Sequence, residues 1–292
     1  MIKSKNIKNW INCWKPPKEE KENWMADLGS VDLWNKRADG FATILSPKKK
    51  QQRTSEIFAL LDRAGFKAKG AQVLDIGSGP GAIAIPLARA GAKVTALDIS
   101  YKALEHLKAN ADREGLHIDA VECSWWDANV AKLGLRNKFD LVVTSMTPAL
   151  KDAEAFVRMM SCSREFCYYS HFLQFDHPGN LDENLQRILK QKAPGKRSGG
   201  ISPFMNYFMY VYLQGYRPLV GIQHKKSKSE MPWEKAGARA VKSVEFSGRC
   251  SAVAKKKIYS YYRDSAVNGK CRIESDGYTG MMVWNVNQKA VA

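Results

Sequence analysis

A short apolar run, Val73-Leu74-Asp75-Ile76, breaks into Gly77-Ser78-Gly79-Pro80-Gly81, and a helical pattern begins at Ala82. A strand forced to turn into a helix through three alternate glycines leaves few architectures open. The chain is read as α/β, with parallel strands joined by helices. Glycine suits such a turn because left-handed backbone costs it little and no Cβ bars a close approach. Turns of this kind bring backbone N–H groups and the positive end of a helix towards a ligand, so a nucleotide-like cofactor is expected.

Two cofactors compete. Gly77, Gly79 and Ala82 satisfy the Gly-x-Gly-x-x-Gly/Ala pattern of dinucleotide sites. Asp75, two residues before the first glycine, favours the other reading. Its carboxylate would repel a pyrophosphate and attract an ammonium or sulfonium group. Asp75-Ile76-Gly77-Ser78-Gly79-Pro80-Gly81 resembles the first motif of the class I S-adenosylmethionine-dependent methyltransferases, acid-x-Gly-x-Gly-x-Gly. A second short strand, 92–98, ends in Asp98, 17 residues after Gly81. A carboxylate there offers two acceptor oxygens to the ribose hydroxyls in either reading.

The resemblance implies more. It predicts a seven-stranded, mostly parallel Rossmann-like sheet with helices on both faces, an N-terminal helical extension and C-terminal helical insertions. It places S-adenosyl-L-methionine on Asp75, Gly77, Ser78, Gly79 and Gly81, with Asp98 at the ribose and Ile99 and Ser100 at the adenine face. The family often has Gly-Asp after the third strand. This chain has Cys123-Ser124-Trp125-Trp126-Asp127, which leaves the adenine contact open between Ser124, the Trp125 backbone and Asp127. Asp127 also reads as an N-cap for a helix over 128–133. Ser145, ending a fourth strand at 139–145, borders cofactor and acceptor. Trp34 and Ala38 resemble the Trp-x-x-x-Ala helix that lids the cofactor in many small-substrate methyltransferases; plain packing of Trp34 and Phe41 is the alternative.

The organisation expected is an N-terminal helical cap over 1–53 and a methyltransferase domain over 54–292. That domain divides into a cofactor half at 70–150 and a substrate-side half at 151–292. Predicted helices cover 31–41, 54–64, 101–114, 152–160, 181–192, 203–214, 232–241 and 248–262. Fifth and sixth strands are predicted at 165–171 and 217–223. Residues 271–286 read as a hairpin around Asp276-Gly277. Its second arm, 279–286, pairs with 217–223 at the sheet's edge.

Charge is unevenly placed. Residues 54–150 carry 11 Lys and Arg against 11 Asp and Glu, whereas 151–292 carry 23 against 12 and 1–53 carry 12 against 6. The formal charge of +17 therefore comes from outside the cofactor half. Such a field attracts RNA or an anionic small substrate, or simply solubilises the surface. Six cysteines without a C-x-x-C pair argue against a disulfide framework or a zinc site, so no metal is expected. No apolar run reaches membrane-spanning length, and the polar, Lys-rich start lacks a secretory signal, so a cytoplasmic location is expected.

A sulfonium methyl is already activated, so alignment of the acceptor supplies most of the catalysis. His171, after the fifth strand, is the candidate general base; His106, beside Glu105, reads as a surface residue. The Asn/Asp-Pro-Pro-aromatic loop used on exocyclic base amines is absent, since Ser145-Met146-Thr147-Pro148 stands there. No Pro-Cys or Thr-Cys pair follows the fourth strand, which argues against cytosine C5 methylation. The function expected is methyl transfer to a small molecule. The alternatives are an RNA methyltransferase, a non-catalytic cofactor-binding scaffold and a nicotinamide dehydrogenase.

Overall fold

The computed structural model describes residues 2–14, 28–43, 47–176, 185, 189, 202–247 and 250–289. Its contacts divide the chain into two compact units. Unit 1 comprises Met1–His171, Pro203–Gly221 and Gly280–Ala292; unit 2 comprises Phe172–Ser202 and Ile222–Thr279.

Unit 1 opens with helices α1 (Ile2–Trp14), α2 (Val31–Thr43) and α3 (Pro47–Arg63). Ser30 caps α2 by accepting the Leu33 amide at 3.4 Å. The predicted start of the following helix at 54 lies inside α3, whose first turn absorbs the lysines at 48–50. Then come β1 (Gln72–Ile76), α4 (Ala84–Arg89), β2 (Lys93–Asp98), α5 (Tyr101–Asp112), β3 (Ile118–Glu122), β4 (Phe139–Ser145), α6 (Ala153–Met160) and β5 (Ser163–Asp176). Helix α7 (Pro203–Leu213) precedes β6 (Leu219–Pro232), α8 (Trp233–Ser247), α9 (Ala252–Asp264) and β7 (Lys270–Asn285). The unit boundary falls within β5, β6 and β7.

The seven strands form one sheet in the order β3-β2-β1-β4-β5-β7-β6. Parallel registers are explicit from β3 to β5: Leu74 pairs with Thr95 and Val142, Asp98 with Glu122, and Ser145 with Ser170. Both faces of the central strands are buried, which is why they read as near-continuous apolar runs. Val73, Val94, Leu141 and Val143 pack in one cluster with Ile57, Leu60 and Leu61 of α3. Their alternates include Tyr169, whose ring meets Phe156 at 6.2 Å. Phe156 also stacks on Tyr207 at 4.5 Å and on Trp284 at 5.7 Å.

Three expectations fail here. Residues 270–285 form one strand, not a hairpin. Gly277 is buried and lacks the positive φ of an Asp-Gly turn. The true partner is β6: His224 stacks on Tyr278 at 4.3 Å, Lys226 meets Asp276 and Lys228 meets Glu274. Partner numbers fall as β6 numbers rise, so the two strands run antiparallel. Second, no helix forms over 128–133. Asn129, rather than Asp127, caps a single turn by accepting the Lys132 amide at 3.0 Å. Third, the helix after the glycines begins at Ala84, not Ala82. The helix expected over 181–192 lies outside the described residues except at 185 and 189.

Gly280 of β7 lies against Phe204, whose ring atoms would sit 2.6–2.7 Å from an added Cβ. Phe204 is itself buried and stacked on Tyr169 at 6.2 Å, so it has little room to yield. Gly280→Ala is expected to destabilise the chain by about 1–3 kcal/mol. Equilibrium denaturant unfolding, with an unchanged slope and a lower midpoint, checks this.

Candidate functional site

The site grows from the carboxyl ends of β1, β2 and β4, where ligands of open α/β sheets bind. Gly77, Gly79 and Gly81 adopt φ of 69°, 53° and 89°, a region that side chains other than glycine's avoid. At Gly77 space is as decisive as φ. A Cβ there would run into the Thr147 side chain, whose own Cβ would be 2.8 Å away. Thr147 follows Met146, a non-glycine residue at φ 55°. Strain at that position, next to the glycine loop, is a mark of functional geometry.

The loop's amides do not point outward as a phosphate cradle requires. Gly77 and Ser78 donate to the Leu97 carbonyl at 2.7 and 3.1 Å, and Gly81 donates to the Ser78 carbonyl at 3.1 Å. Gly79 donates to Asp98 Oδ2 at 2.8 Å. Pro80 has no N–H to give. Every amide of residues 77–81 is therefore committed inside the protein. The expectation of ligand-facing amides fails, and the dinucleotide reading loses its main support.

Two buried acids flank this loop. Asp98 Oδ1 accepts the Ser100 amide at 2.8 Å while Oδ2 holds Gly79. Burial raises its pKa, against the amides of Ser100, Gly79 and Ile99. With three amides on its two oxygens, the carboxylate still keeps a lone pair for a hydroxyl. Burial, with repulsion from Asp98, pushes Asp75 up to about 7; the Ala84 amide and Arg53 oppose the rise. Such a carboxylate is poised to gain from a cation placed beside it. Ser78 Oγ is buried with no hydrogen-bond partner among the described residues.

The remaining predicted residues divide. Ser100 caps α5 through Ala103 and donates to Asn35 Oδ1 at 2.7 Å. Asn35 is buried on α2 beside Trp34, so α2 reaches the ribose end through its asparagine. Trp34 itself donates to the Leu28 carbonyl at 2.8 Å and stacks on Phe41 at 6.1 Å, which is the packing alternative. Ile99 is half-buried next to Asp98. Ser124 donates to Asp127 Oδ2 at 3.4 Å, which joins two of the adenine candidates. The Trp125 side chain is buried and donates to the Ala155 carbonyl at 3.1 Å; its own carbonyl accepts from Arg158. Ser145 Oγ pairs with Ser170 Oγ at 2.6 Å and accepts from Arg53 Nη2 at 2.8 Å. His171 lies one residue past the last β4–β5 pair and stacks on Tyr169 at 6.3 Å. It shares the Tyr169 face of β5, whereas Ser170 and its link to Arg53 lie on the other. His106 pairs with Asp39 at 2.7 Å, as a surface residue does.

Asn35, Arg53 and Thr147 are thus the polar residues that motif reading passed over or left without a role. The donor set fits a ligand with an ammonium at one end and a vicinal diol at the other: Asp75 for the first, Asp98 for the second, and the Ser78 hydroxyl between.

Residues 73–164 match the family model described as a methyltransferase domain. These residues form a methyltransferase domain of the S-adenosylmethionine-dependent kind. It is 30% identical over 131 residues to a ribosomal protein L11 methyltransferase of Shewanella piezotolerans, covering 41% of this chain and 45% of that protein. It is 25% identical over 221 residues to an uncharacterized protein of Haemophilus influenzae, covering 74% of this chain and 76% of the other. The match to the first of these spans less than half of its length. Among solved structures, magnesium protoporphyrin IX methyltransferase from Synechocystis with bound SAH aligns over 97% of this chain and 95% of its own, at 15% identity and a TM-score of 0.46. Among the described residues, Cys123, Cys162, Cys167, Cys250 and Cys271 are free thiols. Among the described residues no acid, histidine and cysteine group could hold a metal ion, and no helix is long and apolar enough to cross a membrane.

The raised pKa of Asp75 makes stability pH-dependent in a stated direction. The folded chain holds this proton to about pH 7, whereas an unfolded aspartate releases it near 3.8. The contribution is full below about pH 4 and is lost as pH rises to 7, at up to about 1.4 kcal/mol per unit. Asp75→Asn removes this slope. The variant is expected to gain on the ligand-free parent between pH 4 and 7 and to hold a constant lead above 7, read by urea unfolding at a series of pH values.

Proposed function

We propose that this chain transfers a methyl group from S-adenosyl-L-methionine to a small-molecule acceptor. The observation that carries the cofactor assignment is the inward turn of every loop amide together with the buried Asp75. A pyrophosphate finds neither donors nor a tolerable charge there, whereas an amino-acid ammonium finds its counter-ion. The cofactor supplies an activated methyl on sulfur. Asp98 fixes the ribose, Asp75 fixes the ammonium, and Thr147 and Ser145 border the position of the acceptor. Ser124, the Trp125 backbone and Asp127 remain the candidates for the adenine contact, with Ile99 and Ser100 at the adenine face.

The small-molecule reading is supported by α2. Its Asn35 binds Ser100 beside Asp98, so the helix closes over the ribose end as a lid does. A covered site suits a small acceptor better than a polymer. RNA is the second reading, favoured by the excess of basic residues in unit 2.

Incubation with methyl-labelled cofactor and fractionated metabolites and RNA tests the acceptor. Label is expected in the metabolite fraction; label in RNA selects the second reading. Thermal shift separates cofactors, since a ligand at 100 times its dissociation constant adds about 2.7 kcal/mol, expected for S-adenosylmethionine and not for NAD. Asp98→Ala removes charged hydrogen bonds worth about 1.5–3 kcal/mol, a loss of roughly 10- to 100-fold in cofactor affinity by calorimetry. His171→Ala is expected to slow turnover about 10²-fold or more without changing that affinity. Undiminished turnover would remove the base role.

A further inference from the structure

Unit 2 carries 18 Lys and Arg against nine Asp and Glu, so the positive charge of the chain is densest there. Its two helices pack on each other through Ala240, Val241, Val244 and Ile258, together with Leu185. The approach is close because Gly237 of α8 has no side chain: the Tyr259 ring would lie 2.6 Å from a Cβ there.

Ion pairs neutralise part of the charge. Glu245 holds Lys255 at 2.7 Å, Asp264 holds Arg263 at 3.1 Å, and Glu274 and Asp276 serve the lysines of β6. Lys235, Arg239 and Lys242 of α8 and Lys256 of α9 have no ion-pair partner among the described residues, and all four are exposed. Lysines and arginines left in excess in this way are an electrostatic footprint for a polyanion.

Beside them lies a cleft of about 430 Å³ lined by Trp233, Lys255, Lys256, Tyr259, Ser260 and Arg263. On α9 the spacing 255, 259, 263 and 256, 260 places these five residues on one face. Trp233 opens α8 and stays half-buried, with its backbone amide held by the Gly269 carbonyl at 3.1 Å. Two ring faces among three cations and a hydroxyl form the combination that grips an unpaired strand. Bases stack on the rings while phosphates sit on the lysines. A duplex would hide the ring faces its bases need, and a lipid surface would not use them.

We propose that this α8–α9 face is a docking surface for a single-stranded polynucleotide. The proposal concerns binding alone and holds whichever molecule takes the methyl group. It is measured without the cofactor, so its failure and that of the methyl-transfer reading are separate results.

The test is fluorescence anisotropy of the full chain with a labelled oligouridylate across a range of salt. Binding is expected to weaken steeply with salt, and Lys256→Glu to lower the log–log slope by at least about 0.7. Trp233→Ala is expected to weaken binding about 5- to 100-fold, and Trp233→Phe to restore most of it. An oligothymidylate of equal length is expected to bind alike, because these contacts read phosphates and ring faces. A duplex of the same sequence is expected to bind more weakly. Equal affinity of Trp233→Ala and the parent would overturn the proposal and leave a generic anionic attraction. So would retention on phosphatidylserine vesicles with none on the oligonucleotide. Circular dichroism shows whether each variant is folded, and Lys256→Glu, a surface change, keeps the test open if Trp233→Ala is not.

Discussion

The glycine loop is held from behind by the end of β2. The Leu97 carbonyl takes the amides of Gly77 and Ser78, and the Asp98 carboxylate takes that of Gly79. These contacts tie the β1 turn to the neighbouring strand, so the loop cannot swing away from Asp98 without breaking three hydrogen bonds. They also decide the chemistry. A loop whose donors face the protein presents its carbons and the Ser78 hydroxyl to a ligand, and leaves recognition to the acids on either side. The same Asp98 accepts the amide of Ser100, which in turn caps α5 and binds Asn35 of α2. One carboxylate thereby connects the loop, the next helix and α2.

The two acids are costly in the free protein, and this cost has a purpose. Asp75 and Asp98 are both buried, and the Asp98 charge disfavours ionisation of Asp75. Arg53 relieves part of that tension from α3, while its guanidinium also holds Ser145. A cationic amino-acid group beside Asp75 would relieve more. The binding energy of such a ligand therefore includes relief of the buried carboxylate, which an uncharged analogue cannot collect.

Local patterns in the sequence were enough for the half of the chain where structure is made locally. Strands 118–122 and 139–145 follow from periodicity, as does the helix predicted over 31–41, which runs on to Thr43. The motif acids Asp75 and Asp98 stand where the glycine spacing places them. What periodicity cannot show is which partner a residue meets. Asp276-Gly277 has the composition of a tight turn, yet cross-strand contacts of Asp276 with His224 and Lys226 keep it extended. Arg53 lies in a lysine-rich stretch and looks like one more solvated charge; only the path of α3 brings it to Ser145, 92 residues away. Asn35 belongs to no motif, and only the path of α2 brings its amide to Ser100. The direction of the glycine-loop amides likewise depends on a partner, β2, which the motif does not contain.

The charge of the chain follows a similar division between local and assembled features. Lys255, Tyr259 and Arg263 are plain in sequence as a basic, aromatic helix, but such a helix is ordinarily a solvated surface. What distinguishes it is Trp233, which α8 adds to the same cleft, and Gly237, which lets the Tyr259 ring lie close against α8. Rings held at fixed positions have already lost the conformational freedom that stacking would otherwise cost. The lysines around them keep theirs, as phosphate binding permits, because a point charge on a flexible stem does not need a fixed geometry. Rigid rings and mobile cations in one cleft divide the work of recognition between stacking and charge, and neither requires a residue from the glycine-loop site.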